Sequence, residues 1–536
     1  MAPASYCVIG SGLAGTACAR ALLREGADVL MIDAGAQCES EKISVARRLA
    51  AQEPTQWTPD DVRAIRGDYL NSRGARAFKP VYGSDFPYAK NELASITQDG
   101  TKCLVSHAKG GLSNVWGAAV LPSMADDFTD WPFGLDELAP SYAEVGRALA
   151  IAGEKDDLAR LLPYYAPALA PIQSSRQARM LLDLWRRNRE SLKSSGITFG
   201  NSRLAVKPQD EGSDRHCRLT GLCLSGCPYS AIYNAQEALA ELRKNPRFRY
   251  EPGWIAEKIQ ETGSSAVIQC RSIETGATLS RFEAQRVFVA CGALGTAKII
   301  LASTEIPAKL TLRYQPYFLL PLLAFSRCTG VDEERLHTLA QGFMEVMDRG
   351  ISDHLVHLQF YTYNNFIKEK ISGVLKFAPE PISKYLGPAL WERLLIVQGY
   401  LNSQDGGDIV MTAEKSAGGE ARLKLSGRLP LRTKWKIARV AAKLLRKSRA
   451  VGGLPLLPLM ELGVPGEGNH IGSVFPMAAR PFGFQSDILG RVKGSRRTHA
   501  VDASVLPSLP ATTISYTMMA NADRIAREAA RQDARS

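Results

Sequence analysis

Four groups of residues in this 536-residue chain have the types and spacing to do chemistry. The first is Gly10-Ser-Gly12-Leu-Ala-Gly15, set between the apolar run Tyr6-Cys-Val-Ile9 and the Ala- and Leu-rich stretch Thr16 to Arg24. Strand, glycine turn and helix in that order form a dinucleotide site: Gly10 permits the tight turn, Gly12 lets the backbone approach a pyrophosphate, and Gly15 lets the helix lie close to the sheet. A second apolar run, Val29-Leu-Met-Ile32, ends in Asp33, 21 residues after Gly12, where a carboxylate accepts hydrogen bonds from an adenosine ribose. The second group is the supply of bases: only seven His, at 107, 216, 337, 354, 357, 470 and 499, have an unperturbed pKa near the operating pH of a general base. His354 and His357 lie in a strand-like run where side chains three apart point to opposite faces, so they do not chelate together. The third group is Cys217, Cys223 and Cys227, three thiols within eleven residues; the other seven Cys are scattered and read as buried thiols. The fourth is a basic amphipathic helix, with eight Lys and Arg between 432 and 449 set against Ile437, Val440, Ala441 and Leu444. It reads either as a contact for anionic lipid headgroups or as a solvated helix covering a sheet.

The elements that must position these groups belong to a large globular protein. Hydrophobic residues make up 45% and charged residues 22%, which excludes a disordered chain, and no fixed-period repeat is present. The net charge of +12 is modest for this length, and no basic run is interleaved with stacking aromatics, so nucleic acid is not an expected partner. The longest greasy stretch, Tyr317 to Phe325, is broken by Pro321 and is far shorter than a bilayer span. The N-terminal residues show no basic, apolar and cleavage-site pattern of a secretory signal, so the expected location is the cytoplasm, free or associated with the cytoplasmic face of a membrane.

A second strand-glycine-helix element, Val287-Phe-Val-Ala-Cys-Gly292-Ala-Leu-Gly295 through Leu301, resembles the segment with which large flavoproteins return to their FAD sheet. Lys109-Gly110-Gly111-Leu-Ser113-Asn114-Val-Trp-Gly117 resembles the flavin-facing loop of the glucose-methanol-choline (GMC) oxidoreductases. The C-terminal blocks Asn469-His470 to Met477, Ser486 to Arg491, Val501-Asp502-Ala503 to Pro507 and Pro510 to Thr513 resemble that family's C-terminal signature. The resemblance implies an α/β fold with a discontinuous Rossmann-like FAD-binding domain (1–135, 211–309 and 463–536) and an α+β substrate-binding domain with a mostly antiparallel sheet (136–210 and 310–462). It implies FAD, bound non-covalently because Val115 stands where covalent members carry His, and a small-molecule alcohol, on a carbohydrate or an amphiphile, that loses a proton to a base and a hydride to flavin N5. His470 occupies the position of the family's catalytic His, and Thr513 the position of its usual His or Asn partner. Gly110, Gly111, Ser113, Asn114, Gly292, Asp502 and Ala503 are carried over as cofactor contacts. The electron acceptor is left open among a carrier protein, a quinone and O2.

Cys217-Arg-Leu-Thr220-Gly-Leu-Cys223-Leu-Ser-Gly-Cys227-Pro228 compares with the bacterial ferredoxin run, with Thr220 in place of the second Cys. The segment from Pro228 onward resembles the FAD-dependent glucose and fructose dehydrogenase branch of the family. Two readings stand side by side: a [3Fe-4S] cluster held by Cys217, Cys223 and Cys227, or a vestigial thiol loop. Zinc completed by His216 is disfavoured, since adjacent residues rarely aim at one tetrahedral site. The departure at Thr513 keeps open a non-oxidative chemistry on the same fold (lyase, isomerase or decarboxylase), and a non-enzymatic flavin-bound subunit is the remaining rival.

Overall fold

The computed structural model describes residues 4–67, 79–89, 91–209, 214–276, 278–304, 309–375, 380–415, 421–492 and 494–535. The expected domain boundary at 210/211 lies outside the described residues.

Three sheets organise the chain. The first has strand order 248–252, 29–33, 4–9, 278–289, 266–272 and 254–261, with 498–500 paired to 278–289. Its Rossmann half is parallel: 4–9 pairs in parallel with both 29–33 and 278–289, and 29–33 pairs in parallel with 248–252. Strand Val29–Asp33 is buried at every position, as expected of a strand covered on both faces. Helix Leu13–Arg24 crosses this sheet, and the long C-terminal helix Ile514–Arg535 packs along it. Arg24 bridges the two helices to Asp523 at 2.5 Å, while Tyr6 donates to Asp533 at 2.9 Å.

The second sheet, 453–455, 317–324, 394–400, 356–361, 342–346 and 197–201, with 461–462 at the side, is antiparallel throughout its pairs. One face carries Val356, Leu358, Phe360, Met344, Val346, Val397 and Leu395, packed under Ile437, Val440, Ala441 and Leu444 of helix Leu431–Arg446. The i, i+3, i+4, i+7 spacing of those four residues makes one apolar stripe, and each large side chain buried there contributes about 1.5–3 kcal/mol. The other face carries Glu345, His357, Gln359, Tyr361 and Tyr400 beside apolar residues such as Phe343 and Ile396, and Tyr400 lies against His470. This mixed α/β architecture, with a Rossmann-like sheet and an antiparallel sheet, is the fold class expected from the sequence.

The third sheet runs 471–472, 309–314, 409–415, 421–426 and 96–99. Its edge pairing of Ile471 with Tyr314 and of Gly472 with Arg313 brings the His470 segment beside Gln315. No helix among the described residues is long and apolar enough to cross a membrane.

Candidate functional site

The dinucleotide turn is built by contacts that only glycine tolerates. Gly10 has φ +100°, and a Cβ on Gly15 would stand 1.9 Å from the Gly10 carbonyl oxygen, so helix and strand touch here through backbone. Gly12 and Gly292 face open space, with nothing within 4 Å of an added Cβ, and each lies at the start of a helix, Leu13–Arg24 and Gly292–Ser303. Two helix N-termini thus flank one sheet at positions suited to an anion and to close backbone approach. Gly111, at φ +56°, comes within 3.5 Å of Gly12 when a Cβ is added, which places the 109–117 loop against the turn.

Asp33 is 7% exposed and serves as the hub of this corner. Its carboxylate accepts from Ser11 Oγ at 2.6 Å, from Tyr250 at 3.0 Å and from the Ser11 amide at 3.3 Å, while Ser11 Oγ in turn accepts from the Gly110 amide at 2.9 Å. Burial pushes the Asp33 carboxyl up to about 6, against the pull of those hydrogen bonds. Ser113 and Asn114 spend their side chains inside the loop. Ser113 Oγ donates to the Gly110 carbonyl at 2.6 Å and accepts from the Ala235 amide at 3.0 Å. Asn114 donates to the Gly111 and Lys109 carbonyls and accepts from Asn234 and Gln236. Both residues shape the loop's backbone, in which the amides of Gly110, Gly111 and Ser113 are bonded to Ser11 Oγ and to the carbonyls of Ala108 and Gly110. Asp502, 1% exposed, accepts from Thr296 Oγ1 at 2.5 Å and from the Ser504 amide at 2.9 Å, tying helix 292–303 to the C-terminal turn. Ala503 accepts from the Ser473 amide at 2.9 Å, next to the His470 segment.

His470 is set by a residue that sequence reasoning missed. Asn469 and Ser473, on either side of the His470 turn, have φ +61° and +59°, the left-handed region that non-glycine residues occupy at a cost. Gln315, 2% exposed, donates its amide N–H groups to the carbonyls of Pro510 and Thr512, the latter at 2.7 Å. That fixes the amide orientation, so Gln315 Oε1 faces His470 Nδ1, with which it is hydrogen-bonded. A carbonyl-type oxygen only accepts, so Nδ1 carries the hydrogen and Nε2 holds a free lone pair. Burial, followed by the facing His357, pushes the His470 pKa down to about 4, which keeps the ring neutral through the neutral range. The Tyr400 ring lies 5.4 Å from it, centroid to centroid. Gln315 follows strand Lys309–Tyr314 in a segment with no chemical motif, and nothing in its own sequence surroundings marks it.

Thr513 is 5% exposed, and its Oγ1 accepts from the Leu121 amide at 3.0 Å, leaving one hydroxyl hydrogen to donate. The link from His470 to the loop carrying Thr513 passes through Gln315.

Cys217, Cys223 and Cys227 line one small apolar cavity with Thr220, Leu339 and His337. Burial pushes the three thiols up, Cys217 to about 12 and Cys227 to about 11, while backbone N–H groups pull the other way: Thr338 and Leu339 on Cys223, Ala231, Tyr229 and Ile232 on Cys227, Leu219 on Cys217. Among the described residues no three His, Cys, Asp or Glu side chains come together closely enough to hold a metal ion, so neither the zinc arrangement with His216 nor the [3Fe-4S] arrangement gains support from this geometry.

The model of the NAD(P)-binding Rossmann-like domain matches residues 8–43. The chain superposes on pyridoxine 4-oxidase from Mesorbium loti with a TM-score of 0.57 at 15% identity, covering 98% of this chain and 99% of that one. It superposes on an FAD-dependent oxidoreductase from Chaetomium thermophilum with a TM-score of 0.58 at 13% identity, covering 99% and 100%. The chain shares their fold. It is also 26% identical over 314 residues to paromamine 6'-oxidase of Streptomyces fradiae, a match covering 55% of this chain and 49% of that protein. For 6'''-hydroxyparomomycin C oxidase of Streptomyces lividus the identity is again 26% over 314 residues, covering 55% and 50%. The chain spans about half the length of the curated relatives it matches.

Proposed function

We propose that the chain is an FAD-dependent oxidoreductase of GMC type that oxidises an alcohol group of a carbohydrate or sugar-containing small molecule. The observation that carries this reading is the Gln315-held tautomer of His470, a neutral imidazole with its Nε2 lone pair free. The GlyxGlyxxGly turn, the open space at Gly12 and Gly292, and Asp33 fit the pyrophosphate and ribose of FAD, and the loop of Gly110, Gly111, Ser113 and Asn114, packed against that turn, would hold its flavin end. Bound FAD would supply the hydride-accepting ring. The protein's own part is to orient the alcohol, to take its proton at His470 Nε2, and to donate from Thr513 Oγ1 to the substrate oxygen. Asp502 and Ala503 tie the C-terminal turn to helix Gly292–Ser303 and to the His470 segment, and would hold the cofactor from that side. Two relatives named as oxidases of paromamine and of 6'''-hydroxyparomomycin C support a sugar-like substrate. Anaerobic mixing of FAD-loaded protein with paromamine and simple sugars tests the reading: an alcohol oxidised here bleaches the flavin absorbance, whereas a lyase, isomerase or decarboxylase turns its substrate over with the flavin spectrum unchanged.

The two-domain division proposed from the sequence is supported by the first and second sheets, each drawn from one set of segments; the third sheet joins strands from both. For the cysteine trio the [3Fe-4S] cluster and the vestigial thiol loop stand side by side: the three thiols line one cavity with backbone N–H groups directed at each, while burial pushes all three thiols up and no three metal-ligating side chains gather among the described residues. Iron and acid-labile sulfide in anaerobically purified protein, both lost in Cys223→Ser, decide for the cluster; protein with a flavin spectrum and no iron makes the loop a vestige. A loaded cluster favours a carrier protein or quinone over O2 as electron acceptor.

Helix Leu431–Arg446 is proposed as a peripheral membrane contact because Leu431 and Trp435 are 70% and 65% exposed among its cations. Several of those cations also serve the protein: Lys436 pairs with Asp405, and Lys443 with Asp348. Binding to anionic liposomes is therefore expected at low salt and weak at physiological salt; no co-sedimentation at either salt ends this part of the proposal.

A further inference from the structure

Strand Val356–Tyr361 alternates strictly. Val356, Leu358 and Phe360 enter the apolar core, so His357, Gln359 and Tyr361 share the opposite, site-facing side. The register sets His357 beside Glu345 on one neighbouring strand and beside Tyr400 on the other. These residues form a continuous hydrogen-bonded line. Glu345 Oε1 meets His357 Nδ1 at 2.7 Å, with both side chains 0% exposed. His357 Nε2 meets Gln359 Nε2 at 3.0 Å, and the Tyr361 hydroxyl meets Gln359 Oε1 at 2.8 Å. The line starts at a buried carboxyl and ends at the 109–117 loop, where a Cβ on Gly117 would lie 3.9 Å from the Tyr361 oxygen. Tyr400 closes the space from the side, its ring 6.3 Å from that of His357 and 5.4 Å from that of His470.

Such a line has a direction, set by one proton. With the proton on His357 Nδ1, donated to Glu345, the ring's Nε2 can only accept, so Gln359 must present its NH2 to it. Gln359 Oε1 is then left facing Tyr361, whose hydroxyl hydrogen is used in donating to that oxygen. With the proton on Nε2 instead, the amide turns over and Tyr361 points its hydrogen into the site. We propose that the Glu345–His357–Gln359 line makes Tyr361 an acceptor-only recognition point, which binds a hydroxyl or ammonium donor of the substrate beside the oxidised carbon. Its chemical preference is for polyols and amino sugars over their deoxy or deamino analogues. Glu345, His357 and Gln359 are positioning residues; Tyr361 alone touches substrate.

The direction of the line is independent of the activity, whereas the choice of ligand rests on the alcohol-oxidising reading, and the experiment separates them. In the holoenzyme labelled with 15N-histidine, seven His give few enough signals for the one lost in His357→Gln to be identified. The expected signal is a neutral Nδ1–H tautomer; an Nε2–H tautomer or an imidazolium overturns the proposal whatever the enzyme turns over. Kinetics with paromamine and its mono-deoxy and deamino analogues read the ligand side. One analogue should lose about tenfold in kcat/KM in the wild type, and Tyr361→Phe should shrink that ratio to about twofold by lowering the value for paromamine alone. An unchanged ratio in folded, FAD-loaded Tyr361→Phe overturns the subsite. If paromamine is not oxidised at all, that failure belongs to the activity reading, and the tautomer measurement still decides the polarity of Tyr361.

Discussion

His470→Ala is expected to lower kcat by about a thousandfold while FAD stays bound, since a positioned general base contributes about 10²–10⁴. The side chain is removed from the substrate side of the site, away from the glycine turn, so flavin absorbance per protein should be unchanged. Turnover within tenfold of wild type with full flavin would sink the base assignment. The pH profile gives a second reading of the same group. Its folded pKa is depressed to about 4, so the ring is unprotonated, and able to accept, at every pH above that value. The acid limb of kcat/KM should therefore fall near pH 4 instead of near the ordinary value of 6.5, leaving the rate flat across the neutral range as far as this group is concerned. Gln315→Leu separates positioning from chemistry. It leaves the base in place but removes the acceptor on Nδ1 and leaves the carbonyls of Pro510 and Thr512 without their donor. A loss of kcat of about a hundredfold with little change in KM is the expected result, by analogy with other catalytic His residues set in the wrong tautomer.

That pair also marks the boundary of what the sequence makes legible. The dinucleotide turn can be read directly, because Gly10, Gly12, Gly15 and Asp33 act through local backbone geometry that the chain must solve within one strand-turn-helix unit. The antiparallel sheet is legible only as what the family resemblance implies, and the strand read over His354 and His357 begins at Val356, so His357 lies in it and His354 lies before it. Gln315 is not legible. Its role comes from three carbonyl and ring partners about 155 to 197 positions away in sequence, brought together by the pairing of 471–472 with 309–314. Ser113 and Asn114 show the converse: resemblance picks out a loop that packs against the glycine turn, but their side chains fold inward on Gly110, Gly111, Asn234 and Gln236. The cysteine trio is half legible, since spacing brings the thiols to one loop while the amides of Thr338 and Leu339 arrive from a distant segment.

Gly15→Ala and Gly12→Ala add the same methyl group three residues apart and should have opposite kinds of effect. At Gly15 the new Cβ would lie 1.9 Å from the Gly10 carbonyl oxygen and 3.0 Å from its carbon, both backbone atoms that no side-chain rotation can move. Helix Leu13–Arg24 would have to lift from strand Ala4–Ile9, opening contacts of Ala17, Cys18 and Ala21 with the sheet. Overpacking of this kind costs about 3 kcal/mol or more, so the FAD-free protein should melt several degrees lower and purify with little flavin. At Gly12 an added Cβ meets nothing within 4 Å, so the FAD-free protein should melt as the wild type does. The methyl would instead occupy the space where backbone must approach a pyrophosphate, and FAD affinity should fall by about tenfold or more. Measuring melting temperature without FAD and affinity with it, on both variants, separates the glycine that holds the fold from the glycine that holds the cofactor. Wild-type affinity in Gly12→Ala would mean that the pyrophosphate does not lie over this turn, and the cofactor site would then have to be sought at Gly292, the other helix start that opens onto free space.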